Sequence, residues 1–155
     1  MFEVATVFSD HCVLQREKNI CVFGWSDEQG RVFAELFDKN GKSIGKNSGK
    51  LANGRWEVWL PSVCAQEGCS LVVKFGDSSK TFVDVSVGEV WLAGGQSNME
   101  FELKNCAEGP DELANEKCPN VRFYYTQKIG WMDQKFYDSE RNTAWGVWGD
   151  DGCGA

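Results

Sequence analysis

The chain has 155 residues, and its hydrophobic fraction of 42% and aromatic fraction of 13% are enough to build a folded core. Its net charge of −7 disfavours nucleic acid and anionic membranes as partners. No apolar run reaches the ~18 residues of a transmembrane helix. The N-terminus lacks the basic and apolar regions of a signal peptide, so the expected location is cytoplasmic unless a leader has been removed.

The cysteine pattern argues against a metal site. There are seven cysteines, no Cys-x-x-Cys pair and a single histidine, His11. Free thiols are therefore expected, and neither a metal nor a cofactor is expected.

The first 86 residues show short β-rich runs separated by turn sequences. Asn53-Gly54 is a tight-turn signal, and in the run that follows it Trp56, Val58 and Leu60 share one face because strand side chains alternate. Closely spaced short strands of this kind predict a β-sandwich. The predicted strands cover residues 20–25, 31–37, 55–60, 71–75 and 81–85.

The pattern changes after Val87-Gly88. The uninterrupted apolar run 90–93 predicts a strand covered on both faces. A helix is predicted from Ser97 to about Asn105, with a break at Gly109-Pro110-Asp111. Another strand is predicted over 121–125, and a strand, helix and strand in this order begin an α/β layered unit.

Ser97 is the candidate catalytic residue. It follows Gly94 and Gly95 at a predicted strand-to-helix turn, which exposes a hydroxyl and directs backbone N–H groups towards it. The run is not the nucleophile elbow Gly-x-Ser-x-Gly, because Met99 replaces the last glycine. Two alternatives remain open: Ser97 caps a helix, or it is a nucleophile whose base must be found. His11, in the loop-like Ser9-Asp10-His11, is a weaker candidate for that base than for a local structural role.

The residues around Ser97 resemble a known family. Gly95-Gln96-Ser97-Asn98-Met99-Glu100 is similar to the nucleophile block of the sialate O-acetylesterases, which belong to the SGNH (GDSL-like) hydrolases. Further motifs of that family are similar to residues 8–16, 22–25 and 53–56. The resemblance runs from about Val7 to about Val147.

This resemblance implies an α+β chain, in which a β-sandwich accessory domain (1–86) is followed by the beginning of a three-layer α/β/α esterase domain (87–155). It implies that Ser97 attacks an acetyl ester on a sugar and that its backbone N–H joins the oxyanion hole. Gly95, Gln96 and Asn98 are its neighbours on the nucleophile loop. The implied substrate is an O-acetylated carbohydrate, with no metal.

The sequence also departs from the family. The later glycine, asparagine and Asp-x-x-His that complete the family's site have no counterpart here, so we expect an incomplete, marginally stable 87–155 segment and little esterase activity. The alternative is a non-catalytic β-sandwich that binds glycans or a partner, with Trp25, Trp59 or Trp131 stacking on sugar rings.

Overall fold

A computed structural model describes residues 1–115, 118–126 and 143–148. Strands make up 49% of the described residues, and these ranges contain one α-helix. Two short 3-10 turns, Ser97–Glu100 and Leu103–Asn105, precede that helix. The elements are β1 (Phe2–Val4), β2 (Val13–Gln15), β3 (Ile20–Ser26), β4 (Arg31–Phe37), β5 (Ser43–Ala52), β6 (Arg55–Leu60), β7 (Gln66–Phe75), β8 (Ser78–Gly88), α1 (Gly109–Asn115), β9 (Arg122–Tyr124) and β10 (Trp145–Val147).

Eight strands form one curled sheet in the order β1-β3-β6-β5-β4-β7-β8-β2. The sheet curls through β5, which pairs with β4 over most of its length and with β6 only at Leu51 and Ala52. Gly49 allows this close approach, since a β-carbon there would collide with the backbone of Glu57. β2 joins the other edge by parallel pairing with β8.

The core lies inside the curl and is built from alternate residues of the strands. Trp56, Val58 and Leu60 are fully buried, which confirms the predicted face of β6. The indole Nε1–H of Trp56 donates to the carbonyl oxygen of Glu3 at 3.2 Å, which satisfies its polar edge inside the core.

Local turn chemistry accounts for the connections that the sequence predicts. Asn53 and Gly54 both have positive φ, 53° and 79°, as a two-residue type I′ hairpin between β5 and β6 requires. The carboxylate of Asp38 accepts from the backbone N–H groups of Asn40 and Lys42, each at 2.9 Å. The predicted strands at 31–37 and 55–60 are confirmed with those bounds.

The predicted fold class is wrong. The described chain is mostly one curled sheet, and it does not contain the start of a three-layer α/β/α SGNH domain. The predicted β-sandwich of two sheets is replaced by a single sheet, because the unpredicted ten-residue β5 connects what would otherwise be two halves.

The misassigned elements lie between residues 90 and 115. The run Val90 to Ala93 has no regular secondary structure, because it is exposed to solvent and pairs with no strand in the described ranges. The predicted helix after Ser97 is two 3-10 turns, because Phe101 and Glu102 adopt extended conformations between them. Gly109-Pro110 starts α1 instead of ending a helix, since proline is well tolerated in a first turn. None of the helices in the described ranges could span a membrane.

Candidate functional site

Ser97 opens the first 3-10 turn and its side chain is exposed. The N-cap position belongs to Gln96, which makes no side-chain cap hydrogen bond, so Ser97 is not the helix cap. The turn closes through a backbone bond from the Met99 N–H to the Gln96 carbonyl oxygen at 2.9 Å. The Ser97 hydroxyl has no hydrogen-bond partner among the residues that the structure describes, so it is available to a ligand.

Gly95 lies directly beneath the side chain of Met99. A β-carbon at Gly95 would lie 2.5 Å from Cγ of Met99, so the side chain of Met99 folds back over the glycine. Gly94 has open space around it. Gln96 and Asn98 are exposed on either side of Ser97, as the sequence places them on the nucleophile loop.

The segment that carries Ser97 also exposes apolar side chains. Leu92 is 99% exposed and Trp91 86% exposed, and Met99 and Phe101 are also largely exposed. Ser97 is therefore flanked along the chain by exposed apolar side chains.

The near end of this segment is fixed by a polar clamp formed by Gln15, Arg16 and Glu89. The Glu89 carboxylate accepts from Gln15 Nε2 at 3.0 Å and from Arg16 Nε at 2.6 Å. Gln15 Oε1 in turn accepts from the backbone N–H of Val90 at 3.0 Å. Hydrogen bonds from Gln15 and then Arg16 lower the pKa of Glu89, so the carboxylate is charged at neutral pH.

The far end is fixed by Arg122, His11 and Asp84. The Arg122 side chain is only 5% exposed; its Nη2 lies 3.1 Å from Asp84 Oδ2, and its Nη1 donates to the Asp84 carbonyl oxygen. The Nδ1–H of His11 donates to the same carboxylate oxygen at 2.8 Å. Burial by itself would raise the pKa of Asp84, but bonding to His11 and attraction to Arg122 outweigh it and lower that pKa.

His11 and Asp84 both have positive φ, 66° and 51°, which is uncommon for residues other than glycine. Such conformations persist where surrounding contacts impose them. The Arg122 Nε is buried without a partner in the described structure. The single histidine thus serves Asp84, and no hydrogen bond joins it to Ser97, which agrees with the local role expected for His11.

The N-terminal segment contacts β9 and β10 as well. The hydroxyls of Thr6 and Tyr124 are 3.0 Å apart, and the Trp145 Nε1–H donates to the Val7 carbonyl oxygen at 2.8 Å. Residues 6–16 therefore hold both ends of the chain between Glu89 and Arg122. In the sequence, residues 8–16 stand out only as a family motif and as the location of His11. The predicted site does not include Glu89, Asp84 and Arg122, for which the sequence offers no signal because their partners are distant along the chain.

Neither thiols nor metal ligands add to this site. No group of three His, Cys, Asp or Glu side chains suited to a metal is found within the described ranges. The six described cysteines are free. Burial raises the pKa of the Cys12 thiol to about 12, so Cys12 is not a nucleophile at neutral pH.

Within the described residues, the arrangement therefore presents an exposed serine with no base hydrogen-bonded to it, on a segment that is held at Glu89 and at Arg122. Comparison with solved structures finds a carbohydrate acetylesterase from Xanthomonas citri with 29% sequence identity and a TM-score of 0.82. The chain is similar to a carbohydrate esterase. The likeness covers 99% of this chain and 34% of the enzyme, so the chain spans about a third of its length. No protein-family model matches the chain, and neither does any curated protein.

Proposed function

We propose that this chain carries the nucleophile of a carbohydrate O-acetylesterase and that Ser97 is that nucleophile. The observation that supports the proposal most is the likeness to a carbohydrate acetylesterase along 99% of the chain. The exposed, unbonded hydroxyl of Ser97 is consistent with this role. The resemblance of residues 95–100 to sialate O-acetylesterases makes a sialate-type acetyl ester the preferred substrate within this class.

In the proposed reaction, the Ser97 Oγ attacks the acetyl carbonyl carbon, and the tetrahedral intermediate collapses with release of the sugar hydroxyl. Water then attacks the acetyl-serine, releasing acetate and restoring Ser97. A base must take the serine proton and return it to the sugar oxygen. No side chain in the described part of the chain contacts Ser97 as a base, so we expect acylation and turnover by this chain to be slow.

Acetate release tests the proposal. We expect this chain to release acetate slowly from an O-acetylated sialoside and to act less on an acetate ester that carries no sugar. Ser97→Ala should lower the rate to that of the free ester in buffer. Ser62→Ala, at another exposed serine, is the matched control and should leave the rate unchanged. Equal rates for Ser97→Ala and the unaltered chain would refute the role of Ser97.

Glycan binding without catalysis is the second candidate function. The tryptophans predicted to stack on sugar rings differ in their exposure. Trp59 is 52% exposed on β6, whereas Trp25 packs against the core. Trp131 lies outside the described residues. Another part of the sheet's outer face, between β4 and β7, has features that favour binding.

A further inference from the structure

A shallow groove of about 100 Å³ opens on the outer face of the sheet, between β4 and β7. Phe33 is 52% exposed at the centre of this groove, although β4 is an interior strand of the sheet. Neither Phe33 nor Phe37 stacks on another aromatic ring among the described residues. The groove is lined by Phe33, Ala34, Glu35, Phe37, Val72 and Lys74.

Strand register shows which charges surround the two rings. Phe33 lies opposite Lys74 on β7, and Glu35 lies opposite Lys46 on β5. Arg31 and Lys50 form the next outward-facing pair beyond Phe33, since outward positions recur every second residue. The face therefore carries four cations around one carboxylate, in a chain whose net charge is −7.

These charges are not neutralised by ion pairs among the described residues. Lys46, Lys50 and Lys74 form no ion pair within the described ranges, and all three are exposed. The side chain of Arg31 makes only a hydrogen bond to Ser48, at 3.0 Å. The face thus retains cationic hydrogen-bond donors beside an exposed apolar ring.

We propose that this groove binds a carbohydrate that carries carboxylate groups. The ring of Phe33 offers a flat apolar platform for a sugar face, and the surrounding cations complement acidic substituents. Phe33 and Phe37 are four residues apart on one strand, about 13 Å, so the two rings are spaced to contact successive sugar units of an oligosaccharide that lies along the strand. The choice of a carbohydrate rests on the proposed function, whereas the choice of an acidic one rests on the charges of the face.

The test is a binding titration of the full chain, with an oligogalacturonate as the acidic probe. A neutral xylo-oligosaccharide and polyglutamate serve as comparisons. We expect the oligogalacturonate to bind most tightly and its affinity to fall as salt screens the exposed cations. Phe33→Ala should weaken binding at least tenfold, and Lys74→Gln should weaken it and reduce its salt dependence. Tyr125→Ala is the matched control, because Tyr125 is an exposed aromatic residue, 62% exposed, that does not line the groove, and this variant should bind like the unaltered chain.

Three outcomes would contradict the proposal. Equal affinity for polyglutamate would show a merely electrostatic surface, and preference for the neutral oligosaccharide would remove the role of the cations. Loss of binding in Trp59→Ala, with Phe33→Ala unaffected, would place the glycan at Trp59 on β6 instead of in the groove. Binding in the groove does not require turnover at Ser97, so the two proposals fail separately. If the chain binds the probe but Ser97 is never acetylated, only the proposed function is refuted. If Ser97 is acetylated but the chain does not bind the probe, only the groove proposal is refuted.

Discussion

Single glycines allow the strands of this molecule to approach one another closely. Gly24 on β3 lies against the Trp56 indole, and a β-carbon there would lie 2.5 Å from the ring and would collide with the Glu3 carbonyl oxygen. The neighbouring strand and the largest buried side chain thus occupy the space that any other residue would need. Such a contact leaves the core no simple way to relax.

Gly24→Ala is therefore expected to lower the free energy of unfolding by about 1–3 kcal/mol, the usual cost of overpacking a core. Chemical denaturation measures the loss. Gly88→Ala is the matched control, since a β-carbon at that strand glycine would make only an ordinary 3.6 Å contact with Val13. If the two variants unfold at the same denaturant concentration, the described packing around Gly24 is wrong.

For single residues, the sequence predicts burial and turns correctly where these depend on neighbours along the chain. The alternation of Trp56, Val58 and Leu60 predicts their burial, and Asn53-Gly54 predicts its turn, since both depend on neighbours along the chain. Glu89 and Arg122 give no such signal. Their partners lie 73 and 38 residues away, so only the folded chain brings them together.

Among the elements, the segment that contains Ser97 has no strand partner in the described chain. Its position therefore depends on the contacts at its two ends. The clamp of Gln15, Arg16 and Glu89 holds one end, and Arg122 with Asp84 holds the other. This dependence also explains why the prediction of a strand and helix here fails. Apolar content alone favours a buried strand, but backbone pairing decides whether one forms.

The clamp should be sensitive to acid. The pKa of Glu89 is lower in the folded chain than its ordinary value of 4.5, so its bonds stabilise the fold above that pH and are lost as pH falls through the lowered pKa. Melting temperatures across pH 3 to 7 should show Glu89→Gln below the unaltered chain at neutral pH, with the difference vanishing in acid.

Glu67→Gln is the control for that series. Glu67 is exposed on β7 and forms no ion pair among the described residues, so its replacement should leave the profile unchanged. A difference between Glu89→Gln and the unaltered chain that persists undiminished at the acidic end would contradict the proposed clamp.

At the scale of the whole molecule, the turn that bears Ser97 extends from a sheet whose outer face carries a separate candidate site. The strands from 20 to 85 are largely predictable from the sequence, because the alternation of apolar and polar residues and the turn residues are local features of the chain. The overall architecture is not, because a continuous curled sheet depends on β5, whose sequence Ser43 to Ala52 has weak hydrophobic alternation. The proposed role of Ser97 comes from resemblance and from exposure, and the described contacts do not supply its base.

The position of a covalent adduct shows whether Ser97 is the nucleophile. The chain would be treated with an activated acetyl ester or a serine-directed phosphonate, and the modified peptide would be identified by mass spectrometry. We predict a single adduct on Ser97, absent from Ser97→Ala and retained in Ser62→Ala. An adduct on other serines at equal rates, or none on Ser97 in the folded chain, would contradict the account of Ser97 as an esterase nucleophile.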